Sequence, residues 1–298
     1  MIDILIIGSG PAGLSAAIYG KRANLDVLVV EKEYLGTGQI AESGQVDNYL
    51  GMIGISGYDL GNAFREHAEK LDVEFYDGEA IRFEQTEEGW KTYFSDGSYL
   101  ESKTVIYAAG AIHRHLGAEG EDEFLGKGVS YCAVCDGAFY KGKEAAVIGG
   151  GDTALDDALY LSELCKKVYL IHRRNEFRGS AKTLEKLKQL ENVEIITEAQ
   201  VEKIEGGDKV TAITLNTGRT IQLDGIFCAV GMAPQTEVLK DVVALDAAGY
   251  VEADEIGVTS KEGFFAAGDV RTKQLRQVIT AVSDGANAAV AAAEYIAK

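Results

Sequence analysis

Two cysteines stand three positions apart near the middle of the chain, in the run Cys132-Ala133-Val134-Cys135-Asp136. This spacing lets the two sulfurs bond within about one helical turn. Paired cysteines of this kind have lowered thiol pKa values and exchange readily with other thiols and disulfides. Asp136, next to the second cysteine, is a candidate proton donor to a leaving thiolate. The run therefore predicts a redox-active disulfide with catalytic residues Cys132, Cys135 and Asp136.

A zinc site is the main metal-binding alternative, and it would need two further ligands at similar spacing. No second Cys-x-x-Cys occurs, and the four histidines are scattered along the chain (His67, His113, His115 and His172). We therefore expect no metal. Two inert core cysteines remain an alternative for the pair. Cys165 and Cys228 lie in apolar stretches, where we expect them to pack as small hydrophobic side chains.

A glycine-rich turn lies between an apolar run, Ile2–Ile7, and a helical stretch, Ala12–Arg22. In a strand–turn–helix unit, the spacing Gly-x-Gly-x-x-Gly allows the tight turn, the approach of a pyrophosphate and close packing of the helix. Glu31 directly follows the next predicted strand, Leu25–Val30, at a position where a carboxylate can accept hydrogen bonds from ribose hydroxyls. The turn therefore predicts a dinucleotide site, and a turn without ligand is the alternative. Its residues are Gly8, Ser9, Gly10, Pro11, Ala12 and Gly13.

The same unit recurs with Glu144–Ile148 as the strand, Thr153–Cys165 as the helix and Lys167–Ile171 as the following strand. Its turn is Gly149-Gly150-Gly151-Asp152-Thr153-Ala154, and its second strand ends in a basic group instead of an acid. Guanidinium groups can bind a 2′-phosphate that a carboxylate would repel, which favours NADPH over NADH. A solvated basic face is the alternative. The basic group consists of His172, Arg173, Arg174 and Arg178.

Composition excludes several function classes. The formal net charge of −18 would repel nucleic acid and anionic membranes. No apolar run is long enough to span a bilayer, and the N-terminus lacks the basic region of a signal peptide. Four cysteines are too few for a disulfide scaffold in 298 residues. We therefore expect a cytoplasmic α/β protein without nucleic-acid or membrane partners.

Taken together, these motifs resemble those of the low-molecular-weight thioredoxin reductases, the class II pyridine nucleotide-disulfide oxidoreductases, over nearly the whole chain. The resemblance rests on the two glycine turns and the arginine group, and most specifically on two longer runs. These are Ser130-Tyr131-Cys132-Ala133-Val134-Cys135-Asp136-Gly137 and Phe265-Ala266-Ala267-Gly268-Asp269-Val270-Arg271 followed by Arg276-Gln277-Val278.

The resemblance implies two Rossmann-like three-layer domains and a homodimer. A split FAD-binding domain would comprise residues 1–113 and 242–298, and an inserted NADPH-binding domain, residues 114–241, would carry the cysteine pair. One domain would rotate against the other, with candidate linkers at Ala111–Leu116 and Thr236–Val242. FAD contacts would include the first glycine turn together with Glu31, Lys32, Gly38, Gln39, Asn48, Ala109, Gly110, Gly268, Asp269, Arg276, Gln277 and Val278. NADPH contacts would be Gly150, Gly151, Asp152, Thr153, His172, Arg173, Arg174 and Arg178.

Three segments on the FAD side depart from the family pattern: Gly36-Thr37-Gly38-Gln39, Asn48-Tyr49-Leu50-Gly51 and Ala108-Ala109-Gly110. The first forms a loop one residue longer than usual, the second lacks a proline, and the third replaces Ala-Thr-Gly. These departures bear on the individual contacts to FAD and not on the identity of the cofactor.

The implied activity transfers electrons from NADPH through FAD and the Cys132–Cys135 pair to the disulfide of a thioredoxin or a similar small redox protein. Three alternatives stay open on the sequence. They are a ferredoxin-linked disulfide reductase, an NADPH-dependent flavin reductase or oxidase with an incidental cysteine pair, and a flavin-binding redox sensor without turnover.

Overall fold

The computed structural model describes residues 1–32, 37–43 and 45–298. In chain order the first elements are β1 Ile2–Ile7, α1 Pro11–Arg22, β2 Val27–Glu31, α2 Gly57–Glu69, β3 Glu74–Asp77, β4 Ala80–Gln85, β5 Trp90–Phe94, β6 Tyr99–Tyr107 and β7 Ala111–His113. The next are β8 Val129–Ser130, α3 Ala133–Asp136, β9 Glu144–Gly149, α4 Asp152–Leu164, β10 Lys167–Ile171, α5 Ala181–Lys188 and β11 Val193–Ile196. The last are β12 Val201–Gly206, β13 Val210–Leu215, β14 Thr220–Gln222, β15 Gly225–Ala229, β16 Met232–Pro234, β17 Phe264–Ala266 and α6 Val278–Ile296.

The chain divides into two compact units, Met1–Ile112 with Ala233–Lys298, and His113–Met232. The first crossing lies within the predicted linker Ala111–Leu116. The second lies a few residues before the predicted linker Thr236–Val242, because Leu239 is fully buried in a cluster that includes Phe83 of β4 and Phe264 of β17. The assignment of one cofactor to each unit stays a prediction.

The first unit is built on a mixed sheet in the order β3-β2-β1-β6-β5-β4, with β17 paired to the end of β6. Strand β1 is buried along most of its length, as expected of a parallel strand covered on both faces. Alternating apolar residues and polar turns between Phe75 and Val105 predict antiparallel strands inserted into this unit, and the structure has them as β4, β5 and the first half of β6. Strand β3, which lies at the start of the predicted insertion, instead pairs in parallel with β2. The antiparallel insertion is therefore shorter than expected.

Helices α1 and α6 share a core with β1, β2 and the ends of β6 and β17. Small residues line this contact, and Ser15 donates a hydrogen bond to the Val282 carbonyl at 2.7 Å. Helix α6 begins with a capping box in which the side chains of Gln277 and Thr280 accept from each other's backbone N–H groups. The glycine turn and the C-terminal Gly268-Asp269 turn are therefore fixed to one scaffold.

The second unit has a parallel sheet in the order β11-β10-β9-β15-β8 and an antiparallel sheet β12-β13-β14. Helices α4 and α5 cover one face of the parallel sheet through residues such as Leu155, Leu161 and Leu187, which are fully buried. Both units therefore confirm the predicted α/β fold class. Among the described residues, none of the helices has the length and apolar character needed to cross a membrane.

Candidate active site

The first glycine turn joins β1 to α1. Gly8 has φ +110°, and a Cβ there would lie 2.5 Å from the Ala108 carbonyl oxygen, so glycine is required. Gly10 caps α1 without a side-chain hydrogen bond to the first turn, and a Cβ there would meet nothing closer than 3.8 Å. The N-terminus of α1 thus keeps backbone donors and space in front of them, which is the arrangement that binds a pyrophosphate.

Glu31, the predicted ribose ligand, ends β2 and is almost fully buried. Its Oε2 accepts a hydrogen bond of 2.6 Å from Nη1 of Arg65 on α2. The Arg65 guanidinium also binds Glu69 at 2.8 Å and lies 3.3 Å from the centre of the Phe75 ring. The structure therefore holds the Glu31 carboxylate with a buried cation that the sequence reasoning missed. Lys32, its predicted neighbour in the site, forms an exposed ion pair with Glu79.

Four of the remaining predicted FAD contacts are linked to neighbours. The Nδ2 of Asn48 donates to Oε1 of Gln277 at 3.0 Å, and the Gln39 side-chain amide donates to the Ala111 carbonyl. A Cβ added at Gly38 would lie 3.3 Å from Cα of Gly10, so this loop approaches the glycine turn. Ala109, Gly110 and Val278 belong to the same unit. The departure at Gly36 lies outside the described residues.

The Gly268-Asp269 turn contains polar atoms that the protein leaves unsatisfied. Asp269 Oδ1 and Arg276 Nε are two of four buried side-chain atoms in the described residues without a hydrogen-bond partner. Burial is the main reason that the pKa of Asp269 is raised. Buried polar groups are almost always hydrogen-bonded, so an unpaired acceptor and an unpaired donor here favour a polar ligand. A flavin dinucleotide offers both hydroxyl donors and phosphate acceptors, and the residues present therefore fit FAD.

The carboxylate of Asp284 on α6 holds the Gly268-Asp269 turn through a hydrogen bond to its backbone. It accepts hydrogen bonds from the backbone N–H of Gly268, from the Arg271 guanidinium and from Lys273, at distances between 2.8 and 3.0 Å. Burial is the largest single influence and acts to raise the pKa of Asp284, but the contacts with Arg271 and Lys273 outweigh it, so the pKa is lowered. A buried, fully paired anion of this kind holds Gly268 and its neighbour Asp269 in one conformation.

The second glycine turn is bound tightly to the arginine segment. The Gly150 carbonyl accepts from the backbone N–H of Arg178 at 2.7 Å, and Oδ1 of Asp152 accepts from that of Ser180 at 2.7 Å. A Cβ at Gly150 would fall 2.2 Å from the His172 ring, while one at Gly151 would meet nothing within 4 Å. Phosphate could therefore approach the backbone at Gly151, close to the segment that carries the arginines.

His172 differs from its predicted neighbours because it is buried. Its Nε2 lies 3.2 Å from the Glu176 carbonyl oxygen and its ring packs on Phe177, so it supports the turn from inside. Arg173, Arg174 and Arg178 are exposed, and none of them forms an ion pair with another described residue. The three guanidinium groups are therefore available to an anionic ligand, as is the exposed Thr153 at the start of α4.

Cys132 and Cys135 form a disulfide with Cα atoms 5.3 Å apart. Cys132 precedes the short helix α3, and its Sγ accepts a hydrogen bond from the backbone N–H of Cys135 at 3.2 Å. The buried hydroxyl of Ser130 donates to Oδ2 of Asp136 at 2.6 Å and accepts from the N–H of Cys132 at 3.1 Å. The structure thus connects the cysteine pair to Asp136 through Ser130. The sequence alone assigns no role to this serine.

Burial raises the pKa of Asp136, with the Ser130 hydrogen bond acting in the opposite direction. A carboxyl with a raised pKa is more often protonated near neutral pH, which suits a proton donor beside a thiolate.

Cys165 and Cys228 are buried free thiols, as expected from their apolar surroundings. Among the described residues, no group of three His, Cys, Asp or Glu side chains could hold a metal ion.

Comparisons with known proteins agree with this arrangement. Residues 2–285 match the model of the pyridine nucleotide-disulphide oxidoreductase family. A thioredoxin reductase of Mycoplasma genitalium is 40% identical over 292 residues, covering 96% of this chain and 92% of that protein. One from Bacillus subtilis is 39% identical, covering 99% and 94%.

Among solved structures, a thioredoxin reductase from Streptococcus pyogenes superimposes with a TM-score of 0.94 at 40% identity, covering 100% of this chain and 98% of that one. A thioredoxin reductase from Giardia duodenalis gives 0.92 at 36% identity, with 100% and 99% covered. The two glycine turns, the unsatisfied polar atoms and the disulfide thus coincide with full-length similarity, and the chain belongs to the pyridine nucleotide-disulphide oxidoreductase family, among its thioredoxin reductases.

Proposed function

We propose that the chain is an NADPH-dependent thioredoxin-disulfide reductase, which delivers electrons through FAD and the Cys132–Cys135 disulfide to a thioredoxin-type protein disulfide. The observation that carries the proposal is the disulfide itself, joined through Ser130 to the partly buried carboxyl group of Asp136 in the same unit as the second glycine turn. The membership of the family, at about 40% identity to thioredoxin reductases, supports the choice of thioredoxin as partner.

FAD would be held by the first glycine turn, Glu31, Asp269 and Arg276, with Gln39, Asn48 and Gln277 around them. NADPH would be held by the second glycine turn and the three exposed arginines. When bound, FAD supplies two-electron chemistry that connects a nicotinamide hydride donor with a disulfide acceptor. The protein residues bind and orient these groups, and the cysteines and Asp136 handle the sulfur chemistry.

Reduction of the Cys132–Cys135 bond takes two electrons and two protons and gives two thiols. Asp136 lies next to Cys135 in sequence, and burial raises the pKa of its carboxyl group, which favours the protonated form. The Cys135 N–H donates to Cys132 Sγ and would stabilise negative charge on that sulfur. We infer that Cys132 attacks the partner disulfide, forms a mixed disulfide and releases one partner thiol. Cys135 then displaces the second partner thiol and regenerates the original bond.

The test is NADPH oxidation in the presence of thioredoxin, followed at 340 nm. Cys135→Ser should abolish turnover, and Cys165→Ala, which changes a buried free thiol outside the pair, is the matched control. Unchanged turnover in Cys135→Ser with free flavin as acceptor would favour a flavin reductase with an incidental cysteine pair. Failure of NADPH to reduce the protein at all would favour a ferredoxin-linked enzyme.

Asp136→Asn tests the proton donor separately. It removes the proton but keeps a side chain that can accept from Ser130, so we expect turnover with thioredoxin to fall by about 10²-fold or more. Flavin content and the rate of flavin reduction by NADPH should stay unchanged. Full turnover in this variant would remove Asp136 from the mechanism.

We also propose that the protein acts as a cytoplasmic homodimer. The family resemblance supports the dimer, and two buried free thiols are typical of a reducing compartment. Sedimentation equilibrium of the flavin-bound protein tests the assembly, and a mass of one chain at micromolar concentration would contradict it.

A further inference from the structure

A buried carboxylate lies close to the redox disulfide in the second unit and has no role in the mechanism above. Glu121 is only 4% exposed. Its two oxygens accept hydrogen bonds from the backbone N–H groups of Leu116 and Gly117, both at 2.9 Å, and from the Tyr131 hydroxyl at 2.6 Å. Tyr131 immediately precedes Cys132.

The segment that carries Glu121 is fixed to the antiparallel sheet. The N–H of Glu119 donates to the Glu202 carbonyl on β12, and the N–H of Ile204 donates back to the Glu119 carbonyl, each at 2.8 Å. The ring of Phe124, three residues after Glu121, is buried in the core of this unit. The backbone that carries the Glu121 carboxylate is therefore held in place by the antiparallel sheet and by the core of this unit.

Tyr131 is held on its faces as well as at its hydroxyl. The His113 ring stacks on it at 4.6 Å between centroids with a 15° interplanar angle, and the His115 ring meets it edge-on at 6.2 Å. Burial is the main reason that the pKa of Tyr131 lies far above its usual value, so the hydroxyl keeps its proton and donates. The residue before Cys132 is therefore restrained both at its ring and at its hydroxyl.

We propose that Glu121 and Tyr131 are positioning residues for the redox disulfide. Through them the rigid segment around Glu121 fixes the peptide that leads into Cys132, while Ser130 fixes the N–H of Cys132 itself. The value of this arrangement for turnover rests on the proposed function, but the effect on the disulfide does not require it.

The physical consequence concerns the dithiol state. After reduction the two sulfurs can separate, and a restrained Cys132 keeps its sulfur near Cys135. Restraint raises the effective concentration of one thiol at the other and favours the disulfide. Loss of the restraint should therefore shift the equilibrium toward the dithiol. We expect a shift of about tenfold, which corresponds to ~30 mV for this two-electron couple.

The experiment equilibrates the flavin-bound protein anaerobically with mixtures of reduced and oxidised dithiothreitol. In this exchange one protein disulfide is reduced to a dithiol as one dithiothreitol is oxidised to its cyclic disulfide. Alkylation and mass spectrometry give the fraction of dithiol at Cys132 and Cys135. Neither thioredoxin nor NADPH takes part, so the outcome is independent of the partner assigned above.

The variants are Tyr131→Phe, which removes only the hydroxyl, and Glu121→Gln, which replaces one acceptor oxygen. The matched control is Tyr169→Phe, because the Tyr169 hydroxyl donates to Glu144 at 3.1 Å in the same unit. We expect both test variants to shift about tenfold toward the dithiol, the double variant to shift no further, and the control to match the parent.

Wild-type equilibrium in Tyr131→Phe with unchanged circular dichroism would overturn the proposal. An equal shift in the control would do so as well, because the effect would then be a general loosening of the unit. If Glu121→Gln fails to fold, Tyr131→Phe alone decides, since it leaves both backbone contacts of Glu121 in place.

Discussion

The buried pair between Glu31 and Arg65 allows a sharp test of how the first unit is held together. We consider Arg65→Met, which keeps an unbranched apolar side chain over Phe75 but removes the guanidinium. The side chains of Arg65 and Glu31 are only 9% and 2% exposed. The variant therefore leaves a buried carboxylate without its cation.

Removing one partner of a buried ion pair costs ~3–5 kcal/mol, because the remaining charge is neither solvated nor paired. The second contact of Arg65, to the half-exposed Glu69, adds at most about 0.5 kcal/mol. We therefore expect Arg65→Met to lower the free energy of unfolding of this unit by about 4 kcal/mol. Arg65→Met combined with Glu31→Gln should recover most of the loss, since neither charge then remains buried.

The assay is urea unfolding of the flavin-stripped protein, followed by fluorescence of Trp90. Trp90 is the only tryptophan of the chain and is buried in β5, so it reports on this unit. Lys70→Met is the matched control because Lys70 forms an exposed ion pair with Glu66 in the C-terminal turn of α2. We expect it to change stability by less than about 0.5 kcal/mol. Equal losses in Arg65→Met and Lys70→Met, or no recovery in the double variant, would show that the buried ion pair does not hold this unit together.

Three further predictions concern the other unit. Burial raises the pKa of Asp157 from 3.8 to about 6, so its charged form destabilises the fold above pH ~6 and has no effect below its unfolded pKa. Asp157→Asn should therefore raise the free energy of unfolding by up to ~3 kcal/mol at pH 8 and by much less at pH 4.5. Urea unfolding followed by circular dichroism measures both values, and equal changes at the two pH values would argue against this effect of Asp157. Arg173→Ala with Arg178→Ala should raise the KM for NADPH at least tenfold in steady-state assays and leave that for NADH unchanged, whereas parallel changes would exclude a 2′-phosphate contact. Cys135→Ser should trap a mixed disulfide between Cys132 and thioredoxin on a non-reducing gel, and trapping only in Cys132→Ser would reverse the assigned order of attack.

The repeated strand–turn–helix units could be predicted from the sequence because their signals are local. The strands Ile2–Ile7 and Lys167–Ile171 have in the structure the bounds that the sequence predicts for them. A short apolar run such as Ile4–Ile7, followed directly by a glycine-rich turn, is typical of a buried strand, and the glycine spacing then predicts the turn.

The polar contacts that support the site could not be predicted, because they join residues far apart in sequence. Arg65 reads as one more surface charge on an amphipathic helix, and only the fold places it against Glu31, 34 positions earlier. His172 reads as part of the basic group, yet the close packing against Gly150 buries it. Nothing in the local pattern distinguishes a buried histidine from the exposed arginines that follow it.

In the proposed function, NADPH reduces both the FAD and the Cys132–Cys135 disulfide of one chain. Anaerobic titration of the flavin-bound protein with NADPH, followed by flavin absorbance and thiol counting, tests it directly. We predict uptake of four electrons per chain, two by the flavin and two by the disulfide, with Cys135→Ser taking up only two. Uptake of two electrons by the parent protein, with the disulfide intact at the end point, would show that electrons from NADPH do not reach the cysteine pair.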